Sequence, residues 1–232
     1  MRKLLIFLIL VAVIGVAGDR LAAGLVADEA ERRLVSEGFT GPKVTMHGFP
    51  FLTQLAARTF DHVTVKADGL EAGDGRARAV SAELTDVRAP QSGPVQVGAL
   101  TASGTVPYDV VSRASGSAEL QLAPAPDGEV EVMRTVEVAG QSFDVVARAR
   151  VQARGDRLRI VPTDLQVAGL PSLDDRLSAL IADRVALVYE IPDLPSGVQV
   201  ESVAATEGGF VVRVSGRDLS VRVSALGIPT PG

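Results

Sequence analysis

Two periods of hydrophobicity divide this chain. Residues Leu4 to Gly18 are apolar without a break, and Asp19-Arg20 ends the run. Asp19 to Glu37 reads as a helix, with Leu21, Leu25, Ala30 and Leu34 near one side and Arg32, Arg33 and Glu37 outside. Gly38 stands where a left-handed cap belongs, and Thr40-Gly41-Pro42 prevents continuation. From Phe60 onward the period is two. His62-Val63-Thr64-Val65-Lys66-Ala67 alternates strictly, as a strand with one wet face does, and Val80 to Thr85 and Val95 to Leu100 repeat the pattern.

Later strands come in pairs around turn signals. Ala118 to Leu122 and Val130 to Met133 flank Pro124-Ala125-Pro126-Asp127-Gly128, a predicted hairpin. Phe143 to Ala153 and Leu158 to Val167 bracket Arg154-Gly155-Asp156, while Val198 to Ala205 and Phe210 to Val223 bracket Glu207-Gly208-Gly209. Pro107 is placed to open a brief helix through Val111, proline being welcome in a first turn. A longer amphipathic helix is predicted from a Ser172 cap with Asp175 three residues on. Its apolar positions are Leu173, Leu177, Leu180, Ile181 and Val188, with Pro192 closing it. Strands joined by short turns, with one helix ahead and another inside, predict an α+β fold with a mostly antiparallel sheet. No long polar linker divides residues 19–232, so a single domain is expected there.

The N-terminal pattern acquires meaning from charge. Arg2 and Lys3 precede the apolar run, the layout of a signal peptide or membrane anchor over residues 1–18. Val16-Ala17-Gly18 offers small residues for cleavage, and Leu21 to Val26 could extend the run toward a spanning length. Positive charge before the run places the body outside the cytoplasmic membrane. Removing Arg2 and Lys3 from the 23 basic residues leaves 21 against 28 acidic ones, a net charge of −7. That balance argues against a nucleic-acid partner and against adhesion to anionic membrane by bulk charge.

One stretch stands out in a chain of seven Phe, two Tyr and no Trp. Gly48-Phe49-Pro50-Phe51-Leu52-Thr53-Gln54-Leu55 gathers two Phe and two Leu around a proline. Such a cluster must enter a core or line an apolar cavity. The expected conformation is an extended approach through Pro50 and a helical turn over Thr53 to Ala56. In one reading Phe49, Phe51, Leu52 and Leu55 border an apolar cavity, with Phe60, Val63 and Val65 on the adjoining strand, and an acyl chain is the kind of group such a cavity can bind without many polar contacts. The other reading makes the same residues a plug for one end of the core.

Catalytic patterns are absent from the sequence. The chain has two His and no Cys, no HExxH, no Gly-rich phosphate loop and no Gly-x-Ser-x-Gly elbow. No enzyme activity and no cofactor are expected. His62 occupies a polar position of an alternating strand, and His47 adjoins the Phe-Pro-Phe turn, within reach of a head group. Asp174-Asp175 reads as helix-cap chemistry. Arg148, Arg150 and Arg154 share one strand face, read as solvated, with a head-group site as the alternative.

The octapeptide behind an apolar N-terminus, a run of alternating strands, Val106-Pro107-Tyr108 and Leu194-Pro195-Ser196-Gly197-Val198 together resemble the LmeA-type family of actinobacterial cell-envelope phospholipid-binding proteins. Residue by residue the match is carried by Phe49, Pro50, Phe51, Leu52, Thr53, Gln54 and Leu55. Ala56-Ala57-Arg58 follows where relatives often have a glycine before the arginine. The resemblance implies an elongated, curved sheet packed on long amphipathic helices, similar to tubular lipid-binding folds. It also implies phospholipid as ligand and a part in envelope glycolipid or mannan assembly at the membrane surface. A scaffold that binds an envelope protein partner through a filled core is the alternative.

Overall fold

A computed structural model describes residues 2–72, 75–115, 120–138, 140–154, 157–168, 175–190 and 196–221. Its elements run in order α1 (Arg2–Ser36), β1 (Phe39–Thr40), β2 (Lys43–His47), α2 (Phe51–Ala57), β3 (Thr59–Ala72), β4 (Gly75–Arg88) and β5 (Val95–Val106). There follow α3 (Tyr108–Ala114), β6 (Gln121–Pro124), a 3-10 turn at Pro126–Gly128, β7 (Val130–Val138), β8 (Gln141–Arg154) and β9 (Arg157–Val167). The chain continues through α4 (Asp175–Val185), β10 (Leu187–Glu190), β11 (Val198–Thr206) and β12 (Gly209–Val221). The fold is α+β, mostly antiparallel sheet with a few helices. Seven strands form one sheet in the order β1-β3-β4-β5-β12-β11, with β2 also paired to β3, and five form another in the order β10-β9-β8-β7-β6.

The chain divides into two compact units, one of Met1–Asp68, Ser81–Thr101 and Gly216–Gly232, the other of Gly69–Val80 and Ala102–Ser215. β3, β4, β5 and β12 contribute residues to both. In the second unit the alternation of β7 and β8 buries Val130, Val132, Val136, Val145, Ala147 and Ala149. α4 packs on β7 and β9 and adds Ile181 and Val185, both without exposed surface, to the same cluster. Tyr108 and Phe210 meet edge to face, ring centroids 4.8 Å apart, and the Tyr108 hydroxyl donates to the Thr206 carbonyl at 2.6 Å. Burial pushes the Tyr108 hydroxyl above its ordinary pKa. In the first unit α1 packs on β1, β2 and α2, with Ala23 and Ala27 buried one turn apart. The paired strands β2 and β3 place Val44 opposite Val65 and Met46 opposite Val63.

Several boundaries differ from the sequence expectation. α1 starts at Arg2 rather than Asp19, because nothing between the apolar run and the amphipathic stretch breaks a helix. It ends as expected, Gly38 taking φ +90°. α2 starts at Phe51 instead of Thr53. The amphipathic helix stops at Val185, and Leu187–Glu190, expected to continue it, pairs antiparallel with β9. Leu-Val-Tyr suits a pleated ladder, and the β9 edge supplies the backbone partners that decide it. The Ser172 cap, Leu173, Asp174 and Pro192 lie outside the described residues, as do Ala118, Glu119, Gly155, Asp156, Leu194 and Pro195. Among the described residues, no helix is long and apolar enough to cross a membrane.

Candidate functional site

The octapeptide is held by polar groups that its apolar pattern does not announce. Pro50 is extended (φ −77°, ψ 135°) and provides no side-chain cap for α2. The missing acceptor comes from α1. Asp19 is 2 % exposed, and its Oδ1 accepts the Leu52 N–H at 2.7 Å. A carboxylate against a helix's first turn satisfies an otherwise orphaned donor and complements its partial positive charge. Inside α2, Gln54 is also buried, and it joins two strands. Its Oε1 accepts the Asp61 N–H at 3.0 Å, and its Nε2 donates to the His47 carbonyl at 3.4 Å. Gly48 sits at φ +100°, and a Cβ there would collide with the Gln54 amide. Glycine at that position therefore serves both the backbone angle and the seating of Gln54. Arg58 closes α2 in the left-handed region (φ 55°, ψ 34°), so the turn forms without a glycine before it, and its carbonyl accepts the Ala89 N–H at 2.9 Å.

The seven apolar residues singled out from sequence fall into three settings. Phe51 is 1 % exposed, packed inside the first unit with its ring centroid 6.1 Å from that of Phe60, which is half-buried. Phe49, Leu52 and Leu55 are exposed, at 57 %, 49 % and 36 %. Leu52 and Leu55 lie three residues apart on one side of α2, and the Arg20 guanidinium stands 5.9 Å from the centre of the Phe49 ring. Val63 and Val65 are half-buried and, by strand alternation, on the face of β3 opposite Phe60. The structure thus joins Phe51 to Phe60 and groups Leu52 with Leu55, while Val63 and Val65 join Met46 and Val44 across the β2–β3 ladder.

Two histidines meet on the other face of that ladder. His47 and His62 are directly paired, ring centroids 4.6 Å apart, and the Nε2 atoms lie 3.0 and 3.4 Å from Thr64 Oγ1. Among the described residues, no group of three or more His, Cys, Asp or Glu is placed to hold a metal ion. The arginines of β8 follow the solvated reading at Arg148 and Arg150, which are exposed, and Arg150 pairs with Glu129 at 3.0 Å. Two pockets lie elsewhere. One of about 420 Å³ in the second unit is lined by Met133, Arg134, Asp144 and Gln166, and one of about 510 Å³ in the first by Asp86, Arg88, Gln96 and Asp218. Neither includes an octapeptide residue.

Sequence reasoning missed Asp19, whose role depends on the meeting of α1 and α2, and named Gln54 without a task for it. Lys43-Val44-Thr45-Met46-His47 carried a short alternation that could have disclosed β2. A family model described as LmeA-like phospholipid-binding matches residues 17–215. No curated protein and no solved structure matches the chain.

Proposed function

Since the chain belongs to the LmeA-like phospholipid-binding family, we propose that it is a non-enzymatic phospholipid carrier of the cell envelope. It takes up acyl chains on apolar surface and serves glycolipid or mannan assembly at the outer face of the cytoplasmic membrane. The observation that carries the reading is the family match along residues 17–215. What supports it physically is apolar side chain left uncovered around the octapeptide. Exposed Phe49, Leu52 and Leu55 offer the surface, Phe51 and Phe60 anchor it from within, and half-buried Val63 and Val65 contribute from the other face of β3. Each methylene of an acyl chain removed from water there contributes about 0.8 kcal/mol, so few polar contacts are required. The absence of a nucleophile, phosphate-loop or zinc-protease motif in the sequence supports binding in place of turnover.

Native mass spectrometry of the purified full-length chain tests this directly. The expected result is copurified phospholipid that exchanges with added phospholipid. A chain that purifies lipid-free and takes up none on incubation overturns the proposal and favours the protein-binding scaffold.

A further inference from the structure

Five of the exposed large apolar side chains gather near one stretch of α1. Leu21 and Leu25, each 71 % exposed, stand one turn apart on α1. Their angular distance from Asp19, Ala23 and Ala27, the buried positions of the same helix, is about 200°, so they face outward. On the other side of α1, at the same level, Asp19 holds the Leu52 N–H and Arg20 lies against the Phe49 ring. Leu52, Leu55 and Phe49 thereby flank α1 where Leu21 and Leu25 project from it.

The geometry points to a membrane-docking collar formed by Leu21, Leu25, Phe49, Leu52 and Leu55, with the lipid bilayer as its occupant. The reason for a bilayer, and not a protein, is the continuity of α1. The helix that carries Leu21 and Leu25 is unbroken back to Arg2, and its residues from Leu4 to Gly18 are apolar throughout. With that stretch in hydrocarbon, Leu21 and Leu25 lie within the following one to two turns, about 5–10 Å further along the axis. That sets them in the headgroup layer bordering the hydrocarbon, the zone where interfacial side chains anchor a protein to a bilayer. Arg20 on the Phe49 ring suits the boundary, its stem over apolar surface and its guanidinium at phosphate level. The collar deepens the carrier proposal and rests on it for purpose, since it brings the acyl-binding surface to the bilayer from which lipid comes.

The chain has no Trp, so single substitutions report cleanly. Full-length Leu25→Trp, Leu52→Trp and Val188→Trp, all at exposed positions, are each reconstituted with vesicles of phosphatidylcholine and phosphatidylglycerol carrying brominated acyl chains. Collar docking predicts blue-shifted, strongly quenched emission from Leu25→Trp and Leu52→Trp, and little quenching of Val188→Trp. Quenching of Leu52→Trp alone means a lipid held by the protein away from the bilayer; it overturns the collar and leaves the carrier reading intact. Quenching of Leu25→Trp alone, of neither, or equally of all three also overturns the collar. Docking of both collar positions by a chain that retains no phospholipid in native mass spectrometry overturns the carrier reading and not the collar.

Discussion

The two units are built from the same strand vocabulary and finish differently. The second closes over Val130, Val132, Val145, Ala147 and Ala149 with two large side chains from α4, Ile181 and Val185. The first has α1 laid on β2, and among its described side chains that helix buries Asp19, Ala23 and Ala27 and no large apolar group, while Val63, Val65 and Met46 remain half-buried. Among the described residues, the largest side chains below 2 % exposure include six from the second unit and only Phe51 from the first. Alternating Val, Ala and Leu do not by themselves decide whether a sheet face becomes a filled core. The size of the helical residues laid over it does.

The strongest way to break this comparison is to truncate both sides of it. Ile181→Ala should cost about 2–5 kcal/mol, as expected for a large side chain removed from a filled core. Denaturant titration measures it, and a cost below that of Val63→Ala would refute the distinction between the units. The next effect concerns how the first unit is pinned. Asp19→Ala leaves the Leu52 N–H without its acceptor and should cost about 1–3 kcal/mol, while Asp19→Asn, retaining a side-chain oxygen, should recover most of it.

Smaller effects sharpen the contrast. Tyr108→Phe keeps the ring against Phe210 and removes the bond to Thr206, for about 0.5–1.5 kcal/mol. Because burial raises the Tyr108 pKa, its contribution is fully present below the unfolded tyrosine value near 10 and is lost as pH rises through the folded value. The variant should lose that alkaline limb in a stability–pH profile. Val63→Ala, at a half-buried position, should cost about 1 kcal/mol or less, and thermal melts with added phospholipid should show less ligand stabilisation than the parent chain. The smallest effect belongs to Glu29, whose carboxyl is held below its usual pKa by hydrogen bonds from Arg32 and then Arg33. Its contribution is present above the unfolded glutamate pKa and lost as pH falls through the folded value. Glu29→Gln should flatten only a slight acid limb, read from melts in low salt, since the pair is exposed.

Period-two alternation made the long strands legible, and turn residues located the β6–β7 and β8–β9 hairpins. Short elements were not legible: β1 has two residues and β10 four, and each exists because a neighbour's edge is there to pair with. At the site, clustering of Phe and Leu drew attention to the right segment without dividing its roles. Pattern alone could not say that Phe51 goes inside while Phe49 and Leu52 stay out. That division follows from α2 starting at Phe51, and α2 is seated by Asp19 and Gln54, contacts made across 33 and 7 residues.

Asp19 also makes the seating of α2 depend on the continuity of α1. It directly follows Val16-Ala17-Gly18, three small residues at the end of the apolar run. Cleavage after Gly18 would convert an interior helical residue into a chain terminus, with the frayed first turn that every helix start carries. The carboxylate that holds the Leu52 N–H would then sit beside a new ammonium group on a loosened backbone. The order of the Phe-Pro-Phe segment thus depends on an α1 that runs unbroken through Asp19, although the two lie 33 residues apart in sequence.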